Sequence, residues 1–85
     1  MPKRSELVAK AVGRRIRELR NKREWSQERL ADEARMHRAY MWGVEAGRRN
    51  PSLRHLTRIA DALGVELSAL FAGVRPRGGG PTRDG

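Results

Sequence analysis

Two short helical patterns in the middle of the chain are separated by a linker of only three residues. The patterns cover residues 26–34 and 38–45, and the linker is residues 35–37. Such a linker has room for one tight turn, so the two helices must cross at close range. Ala31 is small enough for that close approach, and the apolar side chain of Met36 can fill the space between the helices. The spacing therefore predicts two crossed helices joined by a turn.

Apolar residues at helical spacing predict three more helices, one before this pair and two after it. The stripes are Val8, Ala11, Val12, Ile16 and Leu19 in the first helix, Leu53, Leu56, Ile59, Ala60 and Leu63 in the fourth, and Val65, Leu67, Leu70 and Phe71 in the fifth. Ser5, Ser26 and Ser52 are suited to cap helix N-termini, and Gly47 and Gly64 to end helices. No segment alternates with the period of two residues that is typical of strands. We therefore expect an all-α fold of five helices.

Domain boundaries follow from where the apolar stripes begin and end. We expect a flexible N-terminus at residues 1–4, one domain at residues 5–72 and a disordered basic tail at residues 73–85. Seven of those last thirteen residues are Gly or Pro, and one is apolar, so the tail has little surface to bury. The predicted core is Val8, Val12, Ile16, Leu19, Trp25, Leu30, Ala31, Ala34, Met36, Met41, Val44, Leu53, Leu56, Ile59, Ala60, Leu63, Val65, Leu70 and Phe71.

Composition points to a small basic protein with a polyanionic partner. The 85 residues contain 19 Lys and Arg against 10 Asp and Glu, which gives a formal charge of +9. The absence of Cys excludes disulfides and thiolate zinc sites. His37 and His55 have no neighbouring pattern of metal ligands, so we expect no metal, no cofactor and no enzymatic activity. Without an apolar run or a secretory signal, the chain is expected to be cytoplasmic, associated with the nucleoid when bound to DNA.

The crossed pair of helices has the spacing of a helix-turn-helix, whose second helix enters the DNA major groove. Over residues 12–72 the chain resembles the Cro/C1-type (XRE-type) family of DNA-binding transcriptional regulators. The motifs that carry the resemblance are residues 16–20 (IRELR), 25–31 (WSQERLA), 45–53 (EAGRRNPSL), 59–65 (IADALGV) and 70–71 (LF). The small size and the start of the third helix, residues 38–40, also resemble controller proteins of restriction–modification systems.

The resemblance implies a lambda-repressor-like domain that binds a near-palindromic operator as a homodimer. The residues implied to contact bases are Arg38, Ala39, Trp42 and Gly43. Those implied to contact phosphates are Gln27, Arg35, His37, Tyr40, Arg48, Arg49 and Asn50. Those expected to form the dimer interface are Leu63, Leu67, Leu70 and Phe71. In this scheme Arg38 donates to guanine, Ala39 touches a thymine methyl group, and Gln27 also braces the start of the third helix.

Three residues depart from the family pattern. Family members usually have Gly at the position of Arg35, so either the turn is rebuilt or Arg35 accepts a strained backbone. His37 replaces the usual Ser, Thr or Asp cap, which predicts a weakly capped third helix. Trp42 replaces a small polar residue and is expected to be exposed, either against DNA or packed on a neighbouring Arg. Glu45 is expected to pair with a nearby Arg.

Several functions fit this pattern. A sequence-specific regulator, whether controller protein or phage-type repressor, is favoured because Gln27, Arg38 and the loop arginines Arg48 and Arg49 occur together on one scaffold. An antitoxin would instead bind a small toxin protein, and an adaptor would use the scaffold to bind another protein. A regulator that activates transcription would need an exposed patch that contacts RNA polymerase. A nonspecific DNA-binding protein driven by charge alone would bind every duplex equally.

Overall fold

The computed structural model describes residues 1–75 and contains helices and connecting turns. The helices within this range are α1 (Arg4–Lys22), α2 (Gln27–Glu33), α3 (Arg38–Glu45), α4 (Leu53–Leu63) and a 3₁₀ helix (Leu67–Phe71). No strand occurs within residues 1–75, so the predicted all-α class is confirmed for this part of the chain. Four of these helices are α-helices. The predicted fifth helix is wrong as an α-helix, because Leu67–Phe71 forms a 3₁₀ helix instead. That segment has only five residues, too few to establish a ladder of α-helical hydrogen bonds.

Caps define the ends of the short helices as the sequence predicts. Ser26 accepts a hydrogen bond from the backbone N–H of Arg29 at 2.9 Å, and Ser52 accepts one from His55 at 3.1 Å. Gly64 ends α4 in the left-handed conformation, with φ of 69°. Gly47, with φ of 74°, follows the C-cap of α3. These residues confine α2, α3 and α4 to the predicted segments.

The N-terminus of α1 differs from its prediction. The helix begins at Arg4 with Lys3 as N-cap, so Ser5 lies inside the first turn and is not the cap. The backbone N–H of Lys3 donates to the Glu6 carboxylate at 3.2 Å, which satisfies a donor that the helix itself leaves unpaired. With this contact to Glu6, the helix begins at Arg4, closer to the N-terminus than an N-cap at Ser5 would place it.

The core lies between all five helices: α1 packs on α3 and on the 3₁₀ helix, α2 packs on α3 and α4, and α4 packs on the 3₁₀ helix. The buried apolar residues are Val12, Ile16, Leu19, Leu30, Ala31, Ala34, Met41, Val44, Leu56, Ile59, Ala60, Leu63 and Leu70. All of these were predicted as core. Val8, Trp25, Met36 and Val65 are only partly buried and pack against the core from outside.

Two predicted core residues are exposed. Leu53 is the first residue of α4 and lies one turn before Leu56, the first buried residue of that stripe. Phe71 is the last residue of the 3₁₀ helix, whose tighter winding turns it away from the interior while Leu70 is fully buried. Periodicity identified both stripes correctly but extended each by one residue.

Arg15 of α1 and Arg23, the C-cap of α1, connect distant elements. The Arg15 guanidinium donates to the carbonyl of Ala69 in the 3₁₀ helix at 2.9 Å. Arg23 donates to the carbonyl of Leu63 at 3.0 Å and thereby satisfies an acceptor at the C-terminus of α4. Arg15 and Arg23 therefore connect separate elements of the fold and do not merely face solvent.

The C-terminal part of the described chain returns to α1. Val74 is partly buried against the core, and its N–H donates to the carbonyl of Phe71 at 3.0 Å. The Arg4 guanidinium donates to the carbonyl of Arg75. Residues 73–75 thus make contacts that the predicted disordered tail lacks, while the rest of that tail lies outside the described residues.

The turn between α2 and α3 keeps a backbone conformation that favours glycine. Arg35 has φ of 59°, so the turn is not rebuilt and Arg35 adopts the left-handed conformation. Its N–H donates to the carbonyl of Asp32 at 3.1 Å, and the N–H of Met36 donates to Ala31 at 2.8 Å. These hydrogen bonds hold the turn at the cost of strain at a residue with a Cβ atom.

Replacing Arg35 with glycine should stabilise the domain. Arg35→Gly removes the clash of Cβ at positive φ, and we expect the free energy of unfolding to rise by about 0.5–1 kcal/mol. Chemical denaturation monitored by circular dichroism measures this change. Arg35→Ala is the control, since it removes the guanidinium but retains Cβ and should bring no such gain. An equal gain in both variants would trace the effect to charge rather than to the backbone.

Candidate nucleic-acid interface

The helix α3 has a buried face and an exposed face. Met41, Val44 and Glu45 point into the protein, whereas Arg38 and Ala39 are exposed. Trp42 also lies on the exposed face, with 51% of its surface accessible, as the sequence predicts. The first turns of α3 therefore offer a cation, a methyl group and an indole ring to a ligand.

The distance between α3 and α1 is determined by a glycine. A Cβ atom added to Gly13 would lie 2.4 Å from the carbonyl oxygen of Val44 and 2.7 Å from that of Glu45. Only glycine lets the backbones approach this closely. Gly13 thereby determines how deeply the C-terminal turn of α3 sits against α1.

A buried carboxylate connects the three helices that surround the site. Glu45, at the end of α3, accepts two hydrogen bonds from the Arg20 guanidinium of α1, at 2.7 and 2.9 Å. It also accepts one from the Gln27 amide of α2 at 3.0 Å, and Arg17 lies 3.6 Å away. Arg20 further donates to the carbonyl of Trp25 at 2.8 Å. The predicted pairing of Glu45 with a nearby Arg is confirmed, and Arg20 is the partner that the prediction did not name.

The Gln27 side chain serves this network in the structure of the free chain. It is half-buried, and its amide donates to Glu45 rather than to Arg38 at the start of α3. The predicted bracing of Arg38 by Gln27 is not made in this structure and stays a prediction for the complex with DNA. Its predicted phosphate contact remains a proposal, made by the same amide group or by the N-terminus of α2.

Glu28 is the residue that contacts Arg38. The Arg38 guanidinium donates to the Glu28 carboxylate at 3.1 Å, and the two side chains are 65% and 61% exposed. Sequence analysis did not single out Glu28. The one available signal was its negative charge directly after Gln27, on a surface otherwise expected to be cationic.

The loop after α3 packs its arginines on the aromatic residues of α3. The Arg48 guanidinium lies 5.4 Å from the centre of the Trp42 ring, and Arg49 lies 5.6 Å from the centre of Tyr40. Both distances fall within the range of cation–π attraction. Of the two alternatives for Trp42, the structure of the free chain contains packing on a neighbouring arginine.

Gly43 is not open to a ligand in this arrangement. It is buried, and a Cβ atom added to it would lie 2.7 Å from Cγ of Arg49. The Arg49 side chain therefore covers the position at which the family resemblance implied a base contact. Gly43 instead gives Arg49 the room to reach Tyr40.

Tyr40 belongs to a polar cluster between α3 and α4. Its hydroxyl lies 3.3 Å from Nδ1 of His55, which is also 3.1 Å from the Ser52 hydroxyl. The rings of Tyr40 and His55 are tilted, with centres 5.0 Å apart. The half-buried Tyr40 is thus held in place, with its hydroxyl near the N-terminus of α4.

The remaining predicted phosphate contacts lie on the surface. Arg35 and His37 are exposed in the turn before α3, and Asn50 is exposed in the loop after it. His37 is the N-cap of α3 without a side-chain hydrogen bond, which confirms the weak cap. These residues flank the exposed face of α3 on both sides.

The predicted dimer residues divide into two groups. Leu63 and Leu70 are buried in the core of the single chain, so their side chains are unavailable to a second copy. Leu67 is half-buried and Phe71 is exposed, which leaves these two at the surface. Any contact with a second copy through this region would involve the latter pair.

The described residues contain neither a cluster of metal ligands nor a membrane-spanning helix. Among residues 1–75 no three His, Asp or Glu side chains are grouped closely enough to hold a metal ion. Within the same range, no helix combines the length and apolar character that crossing a bilayer requires.

The class defined by this fold and site is the helix-turn-helix DNA-binding domain. Residues 11–71 match the family model described as "Helix-turn-helix domain". The chain belongs to this family and is a DNA-binding regulator of transcription.

Relatives of known sequence include a control protein and a phage repressor. The control protein C.BamHI of Bacillus amyloliquefaciens is 44% identical over 60 residues, which cover 69% of this chain and 74% of that protein. The immunity repressor of Bacillus phage phi105 is 42% identical over 59 residues, again 69% of this chain. The chain spans only 41% of the length of that repressor.

A solved structure with the same fold is that of the restriction–modification controller protein C.AhdI from Aeromonas hydrophila. It has a TM-score of 0.73 and 43% sequence identity, and the match covers 74% of this chain and 96% of that one. The XRE-type resemblance is confirmed by these relatives.

Loss of the Glu45 carboxylate should destabilise the domain strongly. Glu45→Ala leaves the largely buried Arg20 without its partner. We therefore expect the free energy of unfolding to fall by about 3–5 kcal/mol. Urea denaturation measures the change. Glu33→Ala is the matched control, because Glu33 also ends a helix and pairs with an arginine, Arg29, at 2.9 Å, but is exposed. A similar small loss in both variants would contradict the role assigned to Glu45.

Proposed function

We propose that the chain is a sequence-specific regulator that binds a near-palindromic operator as a homodimer, with α3 in the major groove. The observation that carries this proposal is the two-sided character of α3. Its buried face is held by Gly13 and the Glu45 network, while its exposed face offers Arg38, Ala39 and Trp42. A rigidly held helix with exposed polar and apolar groups is what base recognition requires.

Base recognition is assigned to the N-terminal turn of α3. Arg38 has the planar donors that match O6 and N7 of guanine, and Ala39 is small and exposed, which suits a thymine methyl group. Arg35 and His37, just before α3, and Asn50, beyond it, are assigned to phosphates, which orient the helix but do not distinguish sequences.

The loop arginines are assigned to the DNA backbone. Stacking on Trp42 and Tyr40 limits the conformations of Arg48 and Arg49, so less entropy is lost when each binds a phosphate. In this arrangement Trp42 acts through Arg48 as well as through direct contact with DNA. The Tyr40 hydroxyl is assigned to a phosphate beside the N-terminus of α4.

Dimerisation is assigned to the surface formed by Leu67 and Phe71. A single helix-turn-helix contacts few base pairs, whereas two related by a twofold axis contact half-sites about 34 Å apart. Leu67 and Phe71 lie on the 3₁₀ helix, which Arg15 fastens to α1, so the surface is part of the rigid domain. The relatives, a control protein, a controller protein and an immunity repressor, favour a controller or repressor over an antitoxin or an adaptor.

Truncation of Arg38 should reduce sequence discrimination. A consensus duplex is first selected by the protein from random sequences, and binding to it and to a scrambled duplex is measured by fluorescence anisotropy. The protein should prefer the consensus by about 10³-fold or more, and Arg38→Ala should lower that preference by roughly 5- to 100-fold. Failure to select any consensus would contradict a specific operator and favour charge-driven binding.

Truncation of Arg48 should weaken binding to every sequence alike. Arg48→Ala removes one phosphate contact, so the slope of log K against log salt should become shallower by about one for both duplexes. The consensus preference should persist. Lys22→Ala removes the same charge at the C-terminus of α1 and is expected to leave the slope nearly unchanged. If the two variants changed the slope equally, Arg48 would contribute only to the overall positive electrostatic field of the protein and not to a phosphate contact.

A further inference from the structure

We propose that Glu28 is a positioning residue that makes Arg38 selective for bases over phosphates. This inference rests on the proposed function, since it concerns how the same surface distinguishes sequences. It starts from the hydrogen bond that Arg38 donates to the Glu28 carboxylate at 3.1 Å, across the two helices of the helix-turn-helix.

The ion pair of Arg38 and Glu28 contributes little to the stability of the fold. Both side chains are well exposed, and exposed ion pairs contribute little to folding. Glu28 is also an unfavourable residue for simple DNA affinity, because a carboxylate on this surface repels phosphates. A feature that adds little stability and opposes nonspecific binding calls for a role in discrimination.

The geometry gives Glu28 such a role. A guanidinium has five N–H donors in one plane, so the bond to Glu28 leaves others free. The N7 and O6 atoms of guanine are neutral acceptors, and Arg38 can bind them while it remains paired with Glu28. A phosphate, in contrast, carries a negative charge and must compete with the Glu28 carboxylate for the same guanidinium.

Glu28 therefore disfavours the contact that Arg38 would otherwise make on any DNA. On a nonmatching sequence, an unpaired arginine can turn to the nearest phosphate and recover binding energy. Because Arg38 is already paired with Glu28, it gains little binding energy by turning to a phosphate, and it stays directed at the bases. Affinity for nonmatching DNA falls as a result, while affinity for the operator is nearly maintained.

The test uses Glu28→Gln in the full chain, with the selected consensus duplex and its scrambled counterpart. We expect affinity for the scrambled duplex to rise about fivefold, and its salt slope to steepen by about one as Arg38 gains a phosphate. Affinity for the consensus should change less than twofold. Thermal unfolding by circular dichroism checks that the variant is folded.

Two further variants separate the possible outcomes. Asp32→Asn removes the same charge one turn further along α2, and an equal rise there would overturn the proposal in favour of a general charge effect. In the Arg38→Ala background, Glu28→Gln should act no more strongly than Asp32→Asn, because its effect passes through Arg38. If Arg38→Ala lowers the consensus preference but Glu28→Gln leaves both duplexes unaffected, this inference alone fails. If Arg38→Ala leaves the preference intact, the assignment of Arg38 to bases fails first.

Discussion

The geometry of the site depends on the hydrogen bonds that the buried Glu45 carboxylate accepts. It lies at the end of α3 and joins that helix to Arg20 of α1 and Gln27 of α2. A buried charge is tolerated only where hydrogen bonds replace its lost water, and here three bonds do so. Removing Glu45 or Arg20 leaves the charge of the other largely buried without its partner. The network therefore links the angle of α3 to the folding of the whole domain, rather than to local contacts alone.

The exposed side of the same region is organised by a second, weaker set of contacts. Arg38 pairs with Glu28, Arg48 stacks on Trp42 and Arg49 stacks on Tyr40. Each contact is worth little in water, so these side chains can adjust when DNA binds. The strong contacts determine where α3 lies, and the weak ones determine which conformations its side chains sample. This division lets a rigid helix carry adaptable side chains.

Local signals allowed much of the fold to be predicted. Ser26 and Ser52 cap their helices through contacts three residues away, and Gly64 ends α4 through its own backbone, so short-range rules were sufficient. The partners in contacts between residues far apart in the chain could not be predicted. Arg20 and Glu45 are 25 residues apart in the sequence, and Arg15 and Ala69 are 54 residues apart. At such separations the spacing of residues along the chain does not predict which side chains will contact each other. The same limit explains why Glu28 was missed and why Gly43, covered by Arg49, was assigned to bases.

The close packing at Gly13 has a consequence for how such a chain diverges. Because α3 is fastened by its buried face, substitutions at exposed positions such as Ala39 leave the supporting contacts unchanged. With DNA recognition by α3 as proposed above, a duplicated copy can acquire a new target site through a few exchanges on one helix, without rebuilding its interior. The frame is inherited, and the recognised sequence drifts independently of it. Paralogues within one genome would then be insulated from one another by surface chemistry alone.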